Sequence, residues 1–271
     1  MTNTDTEQAL AEAYDRALAL EKEGSFDAAA LAYHEVLALD PEDRAGATVR
    51  LASMGRGATP PKAPDAYVST LFDQHAEVFD DVLVDQLGYC VPLLLRERLQ
   101  AVGRTRFARL LDLGCGTGLA GGALRDMVDH ATGIDLAESM VALADERDVY
   151  DDLYVGEVVD FLTEIEEPAW DLIAATDVLP YLGFLETFLA GAARCSENGA
   201  ILAFSSETLP DQAFAGAPFK VGPQQRFAHA ESYVHMALTE AGFTCLEAGE
   251  IVVRQESGTP TPGHLYLAER L

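Results

Sequence analysis

Leu110-Leu-Asp-Leu-Gly-Cys-Gly-Thr-Gly118 is the stretch that decides the fold. An apolar run ends in glycines at alternate positions, Gly114, Gly116 and Gly118, with Cys115 and Thr117 between them, and a helix-forming segment follows. Glycine has no Cβ, so the backbone there turns sharply and comes close to a ligand. Such a loop alone serves NAD, FAD or a phosphate equally well. Asp112, two residues before the first glycine, narrows the choice. Its carboxylate repels a pyrophosphate and suits a cationic amino group. Leucine stands at position 119, where the dinucleotide fingerprint asks for glycine. S-adenosylmethionine meets both conditions: it brings an ammonium and a sulfonium, and no phosphate.

The next apolar run outward closes on Asp135, about twenty residues after the glycines, where a carboxylate can take both ribose hydroxyls. Asp135 equally fits a cap for the helix beginning near Ala137. Ile134 and Leu136 flank it as walls for an adenine ring. After the third run, Glu157 is placed to accept the adenine amino protons, with the backbone N–H of Val158 meeting a ring nitrogen. Asp160 is a neighbouring alternative to Glu157.

Beyond Arg106, short β-rich runs alternate with helical segments, which predicts an α/β fold with a parallel sheet covered on both faces. Seven strands are expected, at Arg109–Leu113, Ala131–Asp135, Leu153–Val155, Asp171–Thr176, Ala200–Ser205, Phe243–Val253 and His264–Ala268. The link Gly258-Thr-Pro-Thr-Pro-Gly263 is too short for a helical crossover, so the last two strands should form an antiparallel hairpin at the sheet edge. From Pro64 to Gln100 the pattern is helical. A Gly/Pro-rich break at Gly55–Pro64 separates this from a first helical unit, with helices at Glu7–Glu23, Phe26–Leu39 and about Arg44–Met54. Asp40-Pro41 stops the second of these, because the residue before proline is pushed out of the helical region.

These residues carry two resemblances. Leu20, Gly24, Phe26, Ala29, Tyr33 and Pro41 are spaced as in a tetratricopeptide repeat, although Ala13 and Ala17 stand where that family usually has Trp and Gly. One repeat cannot bury both faces, so it should dock on the rest of the chain or on another copy. Residues 64–271 resemble the class I S-adenosylmethionine-dependent methyltransferases. Asp112, Gly114, Gly116 and Gly118 match that family's first motif, Asp135 its second and Glu157 its third, while Asp171–Gly183 is similar to its fourth. Pro64–Asp80 is similar to the lid helix of its small-molecule members, and the whole chain resembles a bacterial group that joins such a domain to a tetratricopeptide repeat. The resemblance implies a Rossmann-like core at 107–271, a helical lid at 64–106 and a repeat-like domain at 1–58. It implies S-adenosyl-L-methionine as cofactor, with Thr176 and Asp177 under its methionine part and Tyr67 reaching its carboxylate.

Methyl transfer from a sulfonium is an in-line displacement that needs alignment and a dry site more than a fixed triad. Tyr181 and Asp177 follow the fourth strand and Glu207 the fifth. His75 and His229 are candidate general bases by ordinary pKa, and each also fits a helix-end or surface role. Arg254 is a candidate anchor for an acidic acceptor or a neutraliser of the acidic surface. The acceptor is expected to be a small metabolite, attacked through an oxygen. A protein target docked by the hairpin, or a cofactor-binding regulator without catalysis, are the alternatives.

Composition limits the rest. Eighteen Lys and Arg against 45 Asp and Glu give a net charge of −27, which disfavours nucleic acid. It also suits a solubility or high-salt adaptation. The densest basic stretch, Arg96 to Arg109, reads as a patch or as a solvated helix face. Cys90, Cys115, Cys195 and Cys245 are far apart, predicting reduced thiols and neither a disulfide framework nor a zinc site. No run approaches a membrane span, and Met1–Gln8 lacks a leader's pattern, so a cytoplasmic protein is expected.

Overall fold

The computed structural model describes residues 3–166 and 169–271; Met1 and Thr2, which open the stretch read for a leader, lie outside them. The chain begins with helices α1 (Asn3–Lys22), α2 (Phe26–Leu39), α3 (Ala47–Ser53), α4 (Asp65–His75) and α5 (Val91–Ala101). Strands and helices then alternate: β1 (Phe107–Leu113), α6 (Leu119–Leu124), β2 (Val128–Asp135), α7 (Glu138–Glu146), β3 (Asp152–Val155), α8 (Val158–Glu164), β4 (Trp170–Ala175), α9 (Glu186–Cys195) and β5 (Ser196–Glu207). The last part holds α10 (Asp211–Phe214), β6 (Phe219–Val221), β7 (Phe227–His229), α11 (Glu231–Glu240), β8 (Phe243–Glu256) and β9 (Thr259–Arg270).

β1 lies at the middle of the parallel part of the sheet, between β2 and β4, with β3 outside β2 and β5 outside β4. Leu110 joins an apolar cluster on one face, with Leu95, Leu99 and Leu172. Its neighbours Leu111 and Leu113 join the cluster on the other, with Ile173, Phe188 and Leu189. Covering on both faces is why these strands read as continuous apolar runs rather than alternating ones.

Among the described residues the sheet has nine strands, not seven. The additional pair, β6 and β7, is antiparallel and only three residues long on each side. Flanked by Pro218, Gly222 and Pro223, such pieces are shorter than the window in which a period-2 pattern can be read. β5 forks: it runs antiparallel to β9 from Ile201 to Glu207, and at Glu207 it also meets Ala228 of β7. β8 and β9 form the expected hairpin, but the turn is Ser257-Gly258, and Thr259–Gly263 belongs to the strand. Pro260 and Pro262 are tolerated because β9 there has outrun β5, whose pairing ends at Gly263, so their missing N–H groups are not needed.

The helical stretch expected from Pro64 to Gln100 is interrupted before β1. Asp81–Gln86 forms a single π-helical segment, and Gly88, at a left-handed φ of 67°, ends it before α5 begins. This break turns Tyr89 inward, where it is 5% exposed.

At the amino end, α1 and α2 form a hairpin. Gly24 adopts a left-handed φ of 77°, and Ser25 N–H bonds to the Leu20 carbonyl at 2.9 Å, closing the end of α1. Ala13, Ala17 and Ala29 are buried between the helices with Tyr33 and Val36, so the small residues at 13 and 17 serve close approach. α3 starts later than expected, because the Asp43 carboxylate accepts the N–H groups of Ala47 at 2.6 Å and Thr48 at 2.9 Å. Val49 of α3 is fully buried in the same cluster as Leu111 and Leu179, so this unit docks on the sheet. The Gly/Pro-rich break is also pinned: Ala63 N–H bonds the Tyr181 carbonyl at 2.8 Å, and Gly183 N–H the Pro61 carbonyl at 2.9 Å.

The arginine stretch is neutralised. Arg96 pairs with Asp126, Arg98 with Glu247, Arg104 with Glu269 and Arg106 with Asp129, while Arg109 lies over the Trp170 ring at 4.9 Å. Among the described residues no helix is long and apolar enough to cross a membrane.

Candidate active site

The carboxyl ends of β1, β2 and β4 open into a cavity, the place where ligands bind in sheets of this kind. Its floor is Gly114–Thr117, Asp135-Leu136, Glu157-Val158 and Thr176–Val178, and its roof carries Val68, Phe72, Phe79, Leu83 and Tyr89. Gly114, Gly116 and Gly118 have φ of 65°, 53° and 93°, a region that side chains resist. A Cβ at Gly114 would stand 2.5 Å from Val178 Cγ2, so the loop and the end of β4 approach each other only because that position is glycine.

Asp135 faces the cavity from the end of β2. Its two oxygens accept the N–H groups of Gly116 and Ala137, each at 2.9 Å, and burial raises its pKa. Each oxygen keeps a lone pair for a ligand hydroxyl, so the cap reading and the ligand reading hold together. Glu157 caps α8 through Oε2, which accepts Val159 N–H at 2.7 Å and Asp160 N–H at 2.8 Å. Its Oε1 lies 3.6 Å from Lys62 Nζ, which also pairs with Asp65 at 2.8 Å. The Thr176 carbonyl accepts the Tyr89 hydroxyl at 3.0 Å and the Ser205 hydroxyl as well. Burial pushes the Cys115 thiol well above its ordinary pKa, keeping it protonated.

Asp112 lies beneath the loop rather than in the cavity wall, and is fully buried. The Tyr150 hydroxyl donates to Oδ2 at 2.6 Å and accepts the Gly121 N–H at 3.2 Å, while Oδ1 has no partner. Burial lifts this carboxyl to about 7, against the opposing Tyr150 bond. In an unfolded chain the value is about 3.9. Between the two, the folded protein holds a proton that the unfolded chain has released. Asp112 therefore erodes stability as pH rises from about 4 to about 7, and adds no further slope above that. Asp112→Asn removes this slope, so the variant should gain on the parent by up to about 4 kcal/mol between pH 4 and 7.5. Urea unfolding of both proteins at pH 5 and 7.5 measures it; an equal difference at the two values would refute the assignment.

A second polar group under the cavity has Arg226 at its centre. It donates to Asp177 Oδ1, to Glu207 Oε1 and to the Tyr181 hydroxyl, all at 2.6 Å, and lies over the Tyr181 ring at 4.9 Å. Arg254 also donates to Glu207, at 2.5 Å, and to Glu256 at 3.2 Å. Burial raises the pKa of Glu207, but Arg226 and Arg254 outweigh it and hold the group below its ordinary value. For Asp177 burial wins, and the pKa is raised. Arg226 was not anticipated: it sits in Gly222-Pro-Gln-Gln-Arg226, which has loop composition and no periodic signal. The one available hint was that acids expected to gather at strand ends need a cation.

The other expected residues separate. Tyr181 lines the cavity, edge-on to Phe72 with ring centroids 5.5 Å apart. His229 does not: it is fully buried in β7, its Nε2 donates to the Gly183 carbonyl at 3.2 Å, and burial lowers its pKa to about 4. His75 is exposed at the end of α4, bonded to the Leu71 carbonyl at 2.8 Å, and is not a cavity residue. Tyr67 packs its ring on Gly46, where a Cβ would come within 2.7 Å, and does not line the cavity. Gly118 shapes the loop from outside the wall, and Arg254, 5% exposed and paired with Glu207 and Glu256, is not a cavity residue and so does not anchor an acidic acceptor there.

The roof is latched to the floor. Asp73 Oδ1 accepts Ser139 N–H at 3.0 Å, and Asp80 accepts the Thr117 hydroxyl at 2.6 Å and pairs with Arg147. Asp80→Ala leaves Thr117 and Arg147 without that partner. The variant should exchange a bound nucleoside ligand several-fold faster, as stopped-flow dissociation would show, with little change in melting temperature.

Residues 111–204 match the methyltransferase domain family. Over 150 residues, half of this chain, the sequence is 29% identical to a ubiquinone biosynthesis O-methyltransferase of Maricaulis maris, spanning 59% of it. Over 105 residues, 35% of this chain, it is 32% identical to an 18S rRNA (guanine-N(7))-methyltransferase of Arabidopsis thaliana, spanning 36% of that protein. The chain thus spans less than two thirds of the length of these curated relatives. Among solved structures, the cyclase SpnF is similar with a TM-score of 0.62 at 16% identity, over 79% of this chain and 99% of that one. An S-adenosylmethionine-dependent methyltransferase from Clostridium acetobutylicum gives 0.55 at 14% identity, over 74% and 99%. The fold is accordingly the Rossmann-like methyltransferase sheet. That a cyclase shares it means the reaction must be argued from the site.

Proposed function

We propose that this chain is an S-adenosyl-L-methionine-dependent methyltransferase that acts on a small molecule, at an oxygen. The observation that carries the proposal is the cavity itself: a left-handed glycine cradle and a buried carboxylate, Asp135, under an apolar roof. The residues fit this cofactor. The cradle admits backbone but no Cβ at Gly114, and the cavity wall carries acids suited to hydroxyl and amino groups, as a phosphate-free nucleoside cation requires.

In this reading Asp135 takes the ribose hydroxyls, Leu136 the adenine face, Glu157 and Val158 the adenine edge, and Gly114–Gly116 with Thr176 and Asp177 the methionine part. Asp112 acts from below, by fixing the loop through Tyr150 and Gly121. When bound, the cofactor would supply an electrophilic methyl group for the acceptor's lone pair, leaving as a neutral thioether, and the acceptor's proton would pass to bulk water once the methylated product leaves. The roof residues Phe72 and Phe79 exclude water, and the chain's main contribution is alignment. Tyr181 is retained as the candidate catalytic residue; His75 and His229 are set aside because neither reaches the cavity.

Residues 64–271 are taken as the catalytic unit, with 64–106 as its roof and 107–271 as its core. Residues 1–58 are taken as a single tetratricopeptide-like unit that braces the roof, since Tyr67 of α4 rests on Gly46. The four cysteines are unpaired, as a cytoplasmic setting allows.

The test is incubation with radiolabelled S-adenosylmethionine and a cell extract split by ultrafiltration. Label in the small-molecule fraction is the expected result. Label on protein would make the amino-terminal hairpin a docking module and overturn the acceptor class. Binding of the cofactor without transfer to either fraction would leave a regulator.

A further inference from the structure

We infer that the acceptor carries no net negative charge: it is a largely apolar molecule that presents a neutral lone pair as hydrogen-bond acceptor to the Tyr181 hydroxyl. The inference rests on the methyltransferase reading and deepens it. Four carboxylates line the cavity, Asp65, Asp135, Glu157 and Asp177, against one cation, Lys62. That cation is engaged, 2.8 Å from Asp65 and 3.6 Å from Glu157.

The nearby arginines are each matched by an acid, Arg226 by the cavity's own Asp177, which leaves Asp65, Asp135 and Glu157 against Lys62. Arg226 donates to Asp177, Glu207 and Tyr181, Arg254 to Glu207 and Glu256, and Arg147 pairs with Asp80. The cofactor brings one net positive charge, so the loaded site remains negative. A carboxylate or phosphate acceptor would enter an apolar, low-dielectric space lined by like charge, where the one lysine among the described lining residues is already engaged, a strong negative selection.

Tyr181 supplies the positive selection. Its hydroxyl accepts the Arg226 N–H at 2.6 Å, which leaves its own proton to donate, and among the described residues no group receives that proton. Burial holds the phenol well above its ordinary pKa, so it remains a donor at any physiological pH. Beside it, the edge-on ring of Phe72, itself edge-on to Phe79, forms an apolar wall for the acceptor's body.

The experiment passes the small-molecule fraction of a cell extract through a strong anion exchanger at neutral pH. Flow-through and retained eluate are then each incubated with the full-length protein and radiolabelled S-adenosylmethionine. Methylation of the flow-through at least tenfold above the eluate is expected. Label confined to the retained fraction would overturn the inference while leaving the methyltransferase reading intact. Label in neither, with cofactor binding verified by equilibrium dialysis, would overturn that reading and the inference with it. On the labelled acceptor, Tyr181→Phe should raise KM several-fold with cofactor affinity unchanged; an unchanged KM would remove Tyr181 from acceptor recognition.

Discussion

Arg226→Met should destabilise the protein by about 3–5 kcal/mol, the loss seen when one partner of a buried ion pair is removed and the other is left uncompensated. For a chain of this size that corresponds to a fall of roughly 10 °C in melting temperature. The magnitude follows from what the substitution strands. Asp177 and Glu207 each lose a 2.6 Å partner, and Glu207 is only 7% exposed at its side chain. Arg254 still neutralises Glu207, so Asp177 bears most of the loss and should relax by taking up a proton. The contrast is Arg16→Met, which breaks the pair with Glu35. Both side chains there are about half exposed, at 51% and 53%, and the cost should stay below about 1 kcal/mol. Denaturant unfolding of the two variants separates a central buried cluster from a surface ion pair; equal effects would show that Arg226 is not structurally central.

Asp135→Ala should weaken S-adenosylmethionine binding by about a hundredfold, measured by isothermal titration. A hydrogen bond to a charged group contributes about 1.5–3 kcal/mol, and about 1.4 kcal/mol is a factor of ten in affinity. The substitution removes two prospective ribose contacts and also frees the N–H groups of Gly116 and Ala137. Asp135→Asn keeps one acceptor oxygen and should fall between parent and alanine variant. Affinity unchanged in both would remove Asp135 from the cofactor site and leave it a helix cap.

The parts of this molecule legible in its sequence are those where one physical requirement acts locally. The apolar runs Leu110-Leu111 of β1 and Leu172–Ala175 of β4 are continuous because both faces are covered, and Gly114, Gly116 and Gly118 mark a left-handed loop that side chains resist. The hairpin turn at Gly24 and the stop at Asp40-Pro41 are local in the same sense. What escaped depends on partners distant in the chain. Arg226 gains its place from Asp177, Tyr181 and Glu207, which no spacing rule connects to a loop arginine. Asp112 was expected to face the cofactor's amino group, but its side chain turns beneath the loop to Tyr150, 38 residues away. β6 and β7 are held by their contacts and not by their own pattern.

The proline-bearing ribbon at the end of the chain bears on how copies of the protein coexist at high concentration. β8 is 14 residues long and among the described residues pairs only with β9, which is the geometry from which edge-to-edge aggregation starts. Two bulges, near Cys245 and near Val252, break its regularity. Gln255 N–H is already taken by the Leu87 carbonyl at 2.7 Å, and the exposed Glu250 places a charge where a strand from a second copy would dock. With Pro260 and Pro262 near the ribbon's free end, the longest strand of the sheet carries its own devices against edge-to-edge pairing.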